Sequence, residues 1–251
     1  MDLQLQGKVI LVSGGASGVG GAIVLACAQE GAIPVVVDRD TPAAVRFREA
    51  LPRASSQCEF VPTELASAPS CKAAVEFVLA KFRRLDALVN NAAIDDGIAL
   101  ASGSPGGFQS WFEHSLFHVY NLTHYALPAL KQSRGAIVNI VAKTALTGPG
   151  PTSGSAAAEA AVLALTREWA VELLPDGIRV NAVVPFGDAT PGGQSWLSTS
   201  RAGAESSISP GRRTTDCGEI AQTVAFLLSE KSSHTTGQRL FVAPGCVDRD
   251  R

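Results

Sequence analysis

Residues 9–38, VILVSGGASGVGGAIVLACAQEGAIPVVVD, constrain this chain more than any other stretch. The run 9–12 is apolar, rich in β-branched residues and too short for a helix, and the Gly14-Gly15 pair ends it, so it reads as a buried parallel strand. Behind it Gly14, Gly18 and Gly20 give the spacing G-x-x-x-G-x-G before a helical segment. With side chains missing there, the backbone of Gly14, Ser17, Gly18, Val19 and Gly20 turns tightly enough to bring its N–H groups and the helix start up to a pyrophosphate. A second apolar run, 34–37, ends in Asp38 about 20 residues past the glycines, where a carboxylate accepts hydrogen bonds from a ribose 2′-OH. That charge favours NAD and repels the 2′-phosphate of NADP. A glycine turn alone is often only a tight connection; strand, turn, helix and acid in this order point to a dinucleotide site.

The 251 residues are 46% hydrophobic, enough for one α/β domain with a full core spanning 1–251. A formal net charge of -2 supplies no basic field for nucleic acid. No stretch approaches the ~18 uncharged apolar residues of a membrane span. Cys27, Cys58, Cys71, Cys217 and Cys246 are odd in number and form no C-x-x-C pair, which predicts reduced, mostly buried thiols without disulfides or zinc. With no basic-then-apolar leader at the start, these thiols point to the cytoplasm.

Onward from Asp38 the chain alternates. Thr41-Pro42 opens a helix reaching Pro52, 58–61 is a third strand, 68–82 a helix with cations at its end, and 87–90 a fourth strand. Glu64, just past the third strand, is placed to reach an adenine edge. The glycine-rich 97–107 reads as a loop, 109–130 as a long helix, 136–141 as a strand and 155–174 as a helix. A sixth strand at 178–184, a polar loop from 186 to 213, a capped helix at 216–229 and a last strand at 238–242 complete it. This is the pattern of a doubly wound, Rossmann-type parallel sheet of seven strands with helices on both faces. His114, His118 and His124 lack acid or cysteine companions at ligand spacing, so they read as helix-surface or interface residues and no metal is expected.

This order, with SGGASGVG, the Asn-Asn-Ala beginning at Asn90 and RVNAVVP at 179–185, resembles the short-chain dehydrogenase/reductase superfamily over essentially the whole chain. AKTALTG, LTREWAVEL and SHTTGQRLFV look most like sugar dehydrogenases of the L-fucose dehydrogenase type. The resemblance implies a cleft for nicotinamide and substrate at the carboxyl edge of the sheet. It also implies a homodimer or homotetramer, or a hetero-oligomer, built partly on the two long helices. By the same resemblance Asn91 and the backbone beside Val141 line the cofactor path, and Pro185 and Thr190 flank the nicotinamide amide. The last glycine of the family's Asn-Asn-Ala-Gly is Ala93 here.

The family's chemistry uses a tyrosine that trades a proton with the substrate oxygen and, four residues on, a lysine that lowers its pKa and holds the ribose. A serine about 13 residues upstream and an asparagine about 40 upstream complete the set. Here those positions carry Ser155, Glu159, Ala142 and Ser115 respectively. A serine hydroxyl is a far weaker acid than a phenol of pKa about 10, and a carboxylate in place of a cation raises the pKa of a neighbouring acid. A general acid/base typically contributes about 10²–10⁴-fold, so losing a relay that acts as one unit predicts a catalytically degenerate member of the superfamily. Glu159 is still expected to accept from the nicotinamide ribose hydroxyls. The competing expectation is an active oxidoreductase on a sugar or secondary alcohol, or a non-redox enzyme, using a substitute acid/base such as His118, Asp95, Asp96 or Ser153.

Overall fold

The structure, a computed structural model, describes residues 2–51, 58–92, 98–148, 150, 152–186 and 215–243. Seven strands form one sheet in which every pairing is parallel: β1 (Val9–Ser13), β2 (Ile33–Asp38), β3 (Glu59–Pro62), β4 (Ala87–Asn90), β5 (Ala136–Ile140), β6 (Arg179–Pro185) and β7 (Arg239–Val242). Their spatial order is β3-β2-β1-β4-β5-β6-β7. After β3 the chain crosses back over β1 to lay down β4, which makes the β1/β4 boundary the switch point where α/β sheets open a crevice at their carboxyl edge.

Alternation along β1 sends Val9 and Leu11 into one core and Ile10 and Val12 into the other, all four fully enclosed. Such burial on both faces is what a continuous apolar strand requires. The first core packs under α3 (Ala68–Phe82), α4 (Pro105–Ser133) and α6 (Ser153–Glu172). The second packs under α1 (Gly18–Gln29), α2 (Pro42–Ala50) and α7 (Cys217–Leu228). A short α5 (Thr144–Thr147) follows β5.

Several boundaries differ from the sequence expectation for identifiable reasons. Residues 105–107, expected in a loop, open α4: Ser104 accepts from the Gly107 N–H at 3.1 Å, and Pro105 takes the first helical position, where its missing N–H costs nothing. The helix α2 stops at Ala50, before Pro52. The next long helix begins at Ser153 and ends at Glu172, with 174–176 forming a separate 3-10 turn. His118, expected on a helix surface or at an interface, is buried within the chain, whereas His114 and His124 are exposed. Thr190, Ala93, Asp95, Asp96 and Cys246 lie outside the described residues.

At the amino edge of the sheet Arg179 ties β6 to the end of α7. Its guanidinium donates to Leu227 O at 2.7 Å, Ser232 Oγ at 2.8 Å and Ser229 O at 3.1 Å, joining Ser232, which also donates to both carbonyls, in closing the end of the helix. Arg179→Ala removes three charge-assisted bonds at once. The expected cost is about 2–3 kcal/mol in urea unfolding, with an unchanged m-value. Arg179→Lys should recover less than half of it, because a compact ammonium lacks the fork that reaches all three.

Candidate active site

The glycine turn is locked to the end of β4. Gly14, at φ 63°, donates its N–H to Val37 O at 2.9 Å, and Gly18 opens α1 at φ 52°. Asn91 donates from Nδ2 to Ser13 O at 3.1 Å and Gly14 O at 3.0 Å, while Ser13 Oγ accepts from the N–H groups of Asn91 at 3.0 Å and Ala92 at 3.1 Å. A Cβ at Gly20 would stand 2.1 Å from Gly14 O and 2.5 Å from Asn91 Nδ2. The glycine at 20 is therefore demanded by the close approach of turn and strand. Ser17, the residue before α1, makes no side-chain cap, so nothing from its hydroxyl competes for the first N–H groups of the helix.

Asp38 ends β2 beside this turn. One carboxylate oxygen accepts from the Ala16 N–H at 3.1 Å and the other from the Arg39 N–H at 2.8 Å. A carboxylate has about four acceptor sites, so capacity remains for ribose hydroxyls. Glu64 is exposed past β3, and its carboxylate accepts from the Ala66 N–H at 3.3 Å. The turn, Asp38 and Asn91 converge on the β1/β4 switch point, which fits a dinucleotide: helix N–H groups for its phosphates and an acid for a ribose. When bound, such a cofactor supplies a hydride acceptor or donor.

Across the switch point, the carboxyl ends of β5 and β6 carry a different set. Pro185 closes β6 and is buried. Val141, just past β5, donates its N–H to Val183 O at 3.0 Å, and Ala142 follows it. Ser155, in the first turn of α6, lies 3.5 Å from Thr144 Oγ1 through its own Oγ. One turn further on, Glu159 Oε2 accepts from the Ala142 N–H at 3.0 Å. Glu159 as a whole is only partly covered, but the protein packed around its carboxyl pushes the pKa up to about 7, against the pull of that one hydrogen bond.

Ser115 sits on the face of α4 that also carries Trp111 and His118. Its hydroxyl is buried without a partner among the described residues, as is the indole N–H of Trp111. Trp111 lies against Gly154, where a Cβ would come within 3.1 Å of the ring. His118 faces the carbonyl of Ala92 through Nε2 at 3.0 Å and that of His114 through Nδ1 at 3.1 Å. Burial lowers its pKa against the pull of these two carbonyls, and the neutral ring has one N–H to donate to one of them. Ser153 is exposed at the start of α6.

The structure thus brings Ala142, Thr144, Ser155 and Glu159 together. Sequence reading missed Thr144, because only the short α5 turns it toward Ser155. No phenol stands among them: the chain has two tyrosines, Tyr120 and Tyr125, and both lie on α4, with Tyr120 stacked beside His124 and tilted against Trp169. The Cys27, Cys58 and Cys71 thiols are equally unsuited to chemistry, since burial pushes Cys27 up to about 12 and Cys58 and Cys71 up to about 11.

A family model described as enoyl-(acyl carrier protein) reductase matches residues 14–246. The 3-oxoacyl-(acyl-carrier-protein) reductase of Thermotoga maritima is 35% identical over 98% of this chain and 100% of its own length. The L-fucose dehydrogenase of Mus musculus is 32% identical over 95% of this chain and 88% of its own. Among solved structures, Cj0485 dehydrogenase superposes with a TM-score of 0.91 at 37% identity, covering 100% of this chain and 99% of that one. An L-sorbose reductase of Gluconobacter frateurii complexed with NADPH and L-sorbose gives 0.90 at 25% identity, covering 99% of each chain. A 3-ketoacyl-(acyl-carrier-protein) reductase of Brucella melitensis complexed with NADH gives 0.86 at 30% identity, covering 96% of this chain and 99% of that one. The chain belongs to the short-chain dehydrogenase/reductase superfamily, whose fold and nicotinamide-cofactor half it shares.

Proposed function

We propose that this protein binds NAD(H) and performs no hydride transfer by the superfamily's ordinary route, serving as a cofactor-holding structural or regulatory member. The observation that carries this reading is the grouping of Ala142, Ser155 and Glu159 beside the carboxyl end of β5, with both tyrosines on α4. The cofactor half keeps its glycine turn, its helix start and Asp38, while the group that would hand a proton to a carbonyl is gone.

The preference for NAD over NADP rests on Asp38. The next residue, Arg39, is an exposed cation that would pair with a 2′-phosphate once the carboxylate is removed. Isothermal titration should give at least about tenfold tighter binding of NAD than of NADP, and Asp38→Ala should shrink that ratio to a few-fold at most. Tighter NADP binding by the parent, or no binding of either, overturns the assignment.

A self-associated state, homodimeric or homotetrameric, is supported by Phe117 and Tyr120 on α4 and Val171 on α6, large apolar side chains left 49%, 53% and 75% exposed. A hetero-oligomer would use the same faces. The free thiols support a reducing compartment such as the cytoplasm, and among the described residues no helix is long and apolar enough to cross a membrane.

A second reading has one observation in its favour. Glu159, with its carboxyl at about 7, is tuned as general acids and bases are, and would make the cleft an active site of altered chemistry. Turnover that Glu159→Gln abolishes would establish it.

A further inference from the structure

We infer that Glu159 couples proton uptake to the choice between oxidised and reduced cofactor: ionised, it favours the cationic oxidised nicotinamide; protonated, it loses that preference. The inference rests on the NAD(H)-binding reading above.

Placement comes from the sheet. Pyrophosphate at the start of α1 and ribose at Asp38 on β2 commit the adenosine half to the β2 side of the switch point. The other half then runs across the carboxyl ends of β4, β5 and β6. With strands about 4.8 Å apart, β5 stands about 10 Å from β1, within reach of an extended dinucleotide. Glu159 is bound there, its carboxylate on the N–H of Ala142 two residues past β5.

Its ionisation is free to respond. Ala142 N–H is its one hydrogen-bond donor among the described residues, and its elevated pKa arises from burial opposed by that bond. Among the described residues, the titratable groups at this end of the neighbouring elements are Glu113, His114 and His118 on α4 and Lys143 just before α5. None of them enters the balance at Glu159. With the carboxyl at about 7, small changes around neutrality change its charge.

The sign follows from the ligand. Oxidised nicotinamide carries a positive charge that the reduced ring lacks, so ionised Glu159 attracts only the former. By linkage, oxidised cofactor holds Glu159 ionised and expels its proton. At an effective dielectric of about 20 and a separation on the order of 10 Å, reduced by salt screening, the preference amounts to about fivefold.

The test is titration of the full chain with NAD⁺ and with NADH between pH 6 and 8.5, in two buffers of different ionisation enthalpy, for the parent and Glu159→Gln. Glutamine still accepts from Ala142 N–H, so the local structure is kept. The expected result is a ratio Kd(NADH)/Kd(NAD⁺) that rises about fivefold with pH in the parent, with fractional proton release on binding NAD⁺, and is flat in the variant. Binding of both forms with a pH-independent ratio, or identical behaviour of parent and variant, overturns the inference and leaves NAD(H) binding standing. Failure of either form to bind removes the reading beneath it.

Discussion

Restoring the four substituted positions together, by Ser115→Asn, Ala142→Ser, Ser155→Tyr and Glu159→Lys, is expected to raise oxidation of simple secondary alcohols by at least about 10²-fold over the parent. The size follows from what a positioned general acid/base contributes, about 10²–10⁴-fold, together with the way a relay acts as one unit. Single replacements should each recover almost nothing. Tyrosine at 155 without lysine at 159 would sit beside a carboxyl that raises its pKa, and lysine without the phenol has no proton to direct. The backbone spacing suits the change, since Ser155 and Glu159 are one helical turn apart on α6; lysine, a donor only, gives up the bond that the Glu159 carboxylate accepts from the Ala142 N–H. A phenol is larger than the Ser155 side chain, so unfolding midpoints of the quadruple variant accompany the rate measurement. A folded, NAD-binding variant without activity would show that more than the relay has been lost.

Gly20→Ala should remove cofactor binding and destabilise the fold by about 3 kcal/mol, the upper range of overpacking costs. Its Cβ would press on Gly14 O at 2.1 Å and Gly14 C at 2.9 Å, both backbone, so no side-chain rotation relieves it. The turn must open, and the Asn91 bonds that join β1 to β4 open with it. Gly106→Ala is the control: it lies in the first turn of α4, with nothing within 4 Å of its Cβ, and should be neutral or gain up to about 1 kcal/mol. Chemical denaturation with a parallel NAD titration reads both. A Gly20→Ala protein as stable as the parent and still binding would contradict the packing described.

The central strands were legible because each is a short apolar run buried on both faces, which needs no finer pattern than that, while the edge strands β3 and β7 are partly exposed and were placed by the alternation of elements around them. The glycine turn and Asp38 were legible because their chemistry is set by local spacing. The start of α4 was not, since S-P-G-G resembles a turn until Ser104 is seen to cap a helix, although Thr41-Pro42 carries the same signal at α2. Nor could the sequence say where Glu159 would turn. Its partner Ala142 is 17 residues away and is met only because α6 packs back across the end of β5. The burial of His118 escaped for a related reason. Three histidines at 114, 118 and 124 lie along one helix, and only the docking of α4 against β4 decides which of them is enclosed.

The central claim, an intact cofactor half beside a cleft without its proton relay, is met most directly by a single-turnover absorbance measurement at 340 nm. The protein is held in excess over NAD⁺, at a concentration where titration shows the cofactor bound, and secondary alcohols and L-fucose are added. The trace should stay flat over hours at pH 7 to 9. A rise to stoichiometric NADH, faster than the same mixture without protein, would contradict the claim and establish a substitute acid/base in the cleft.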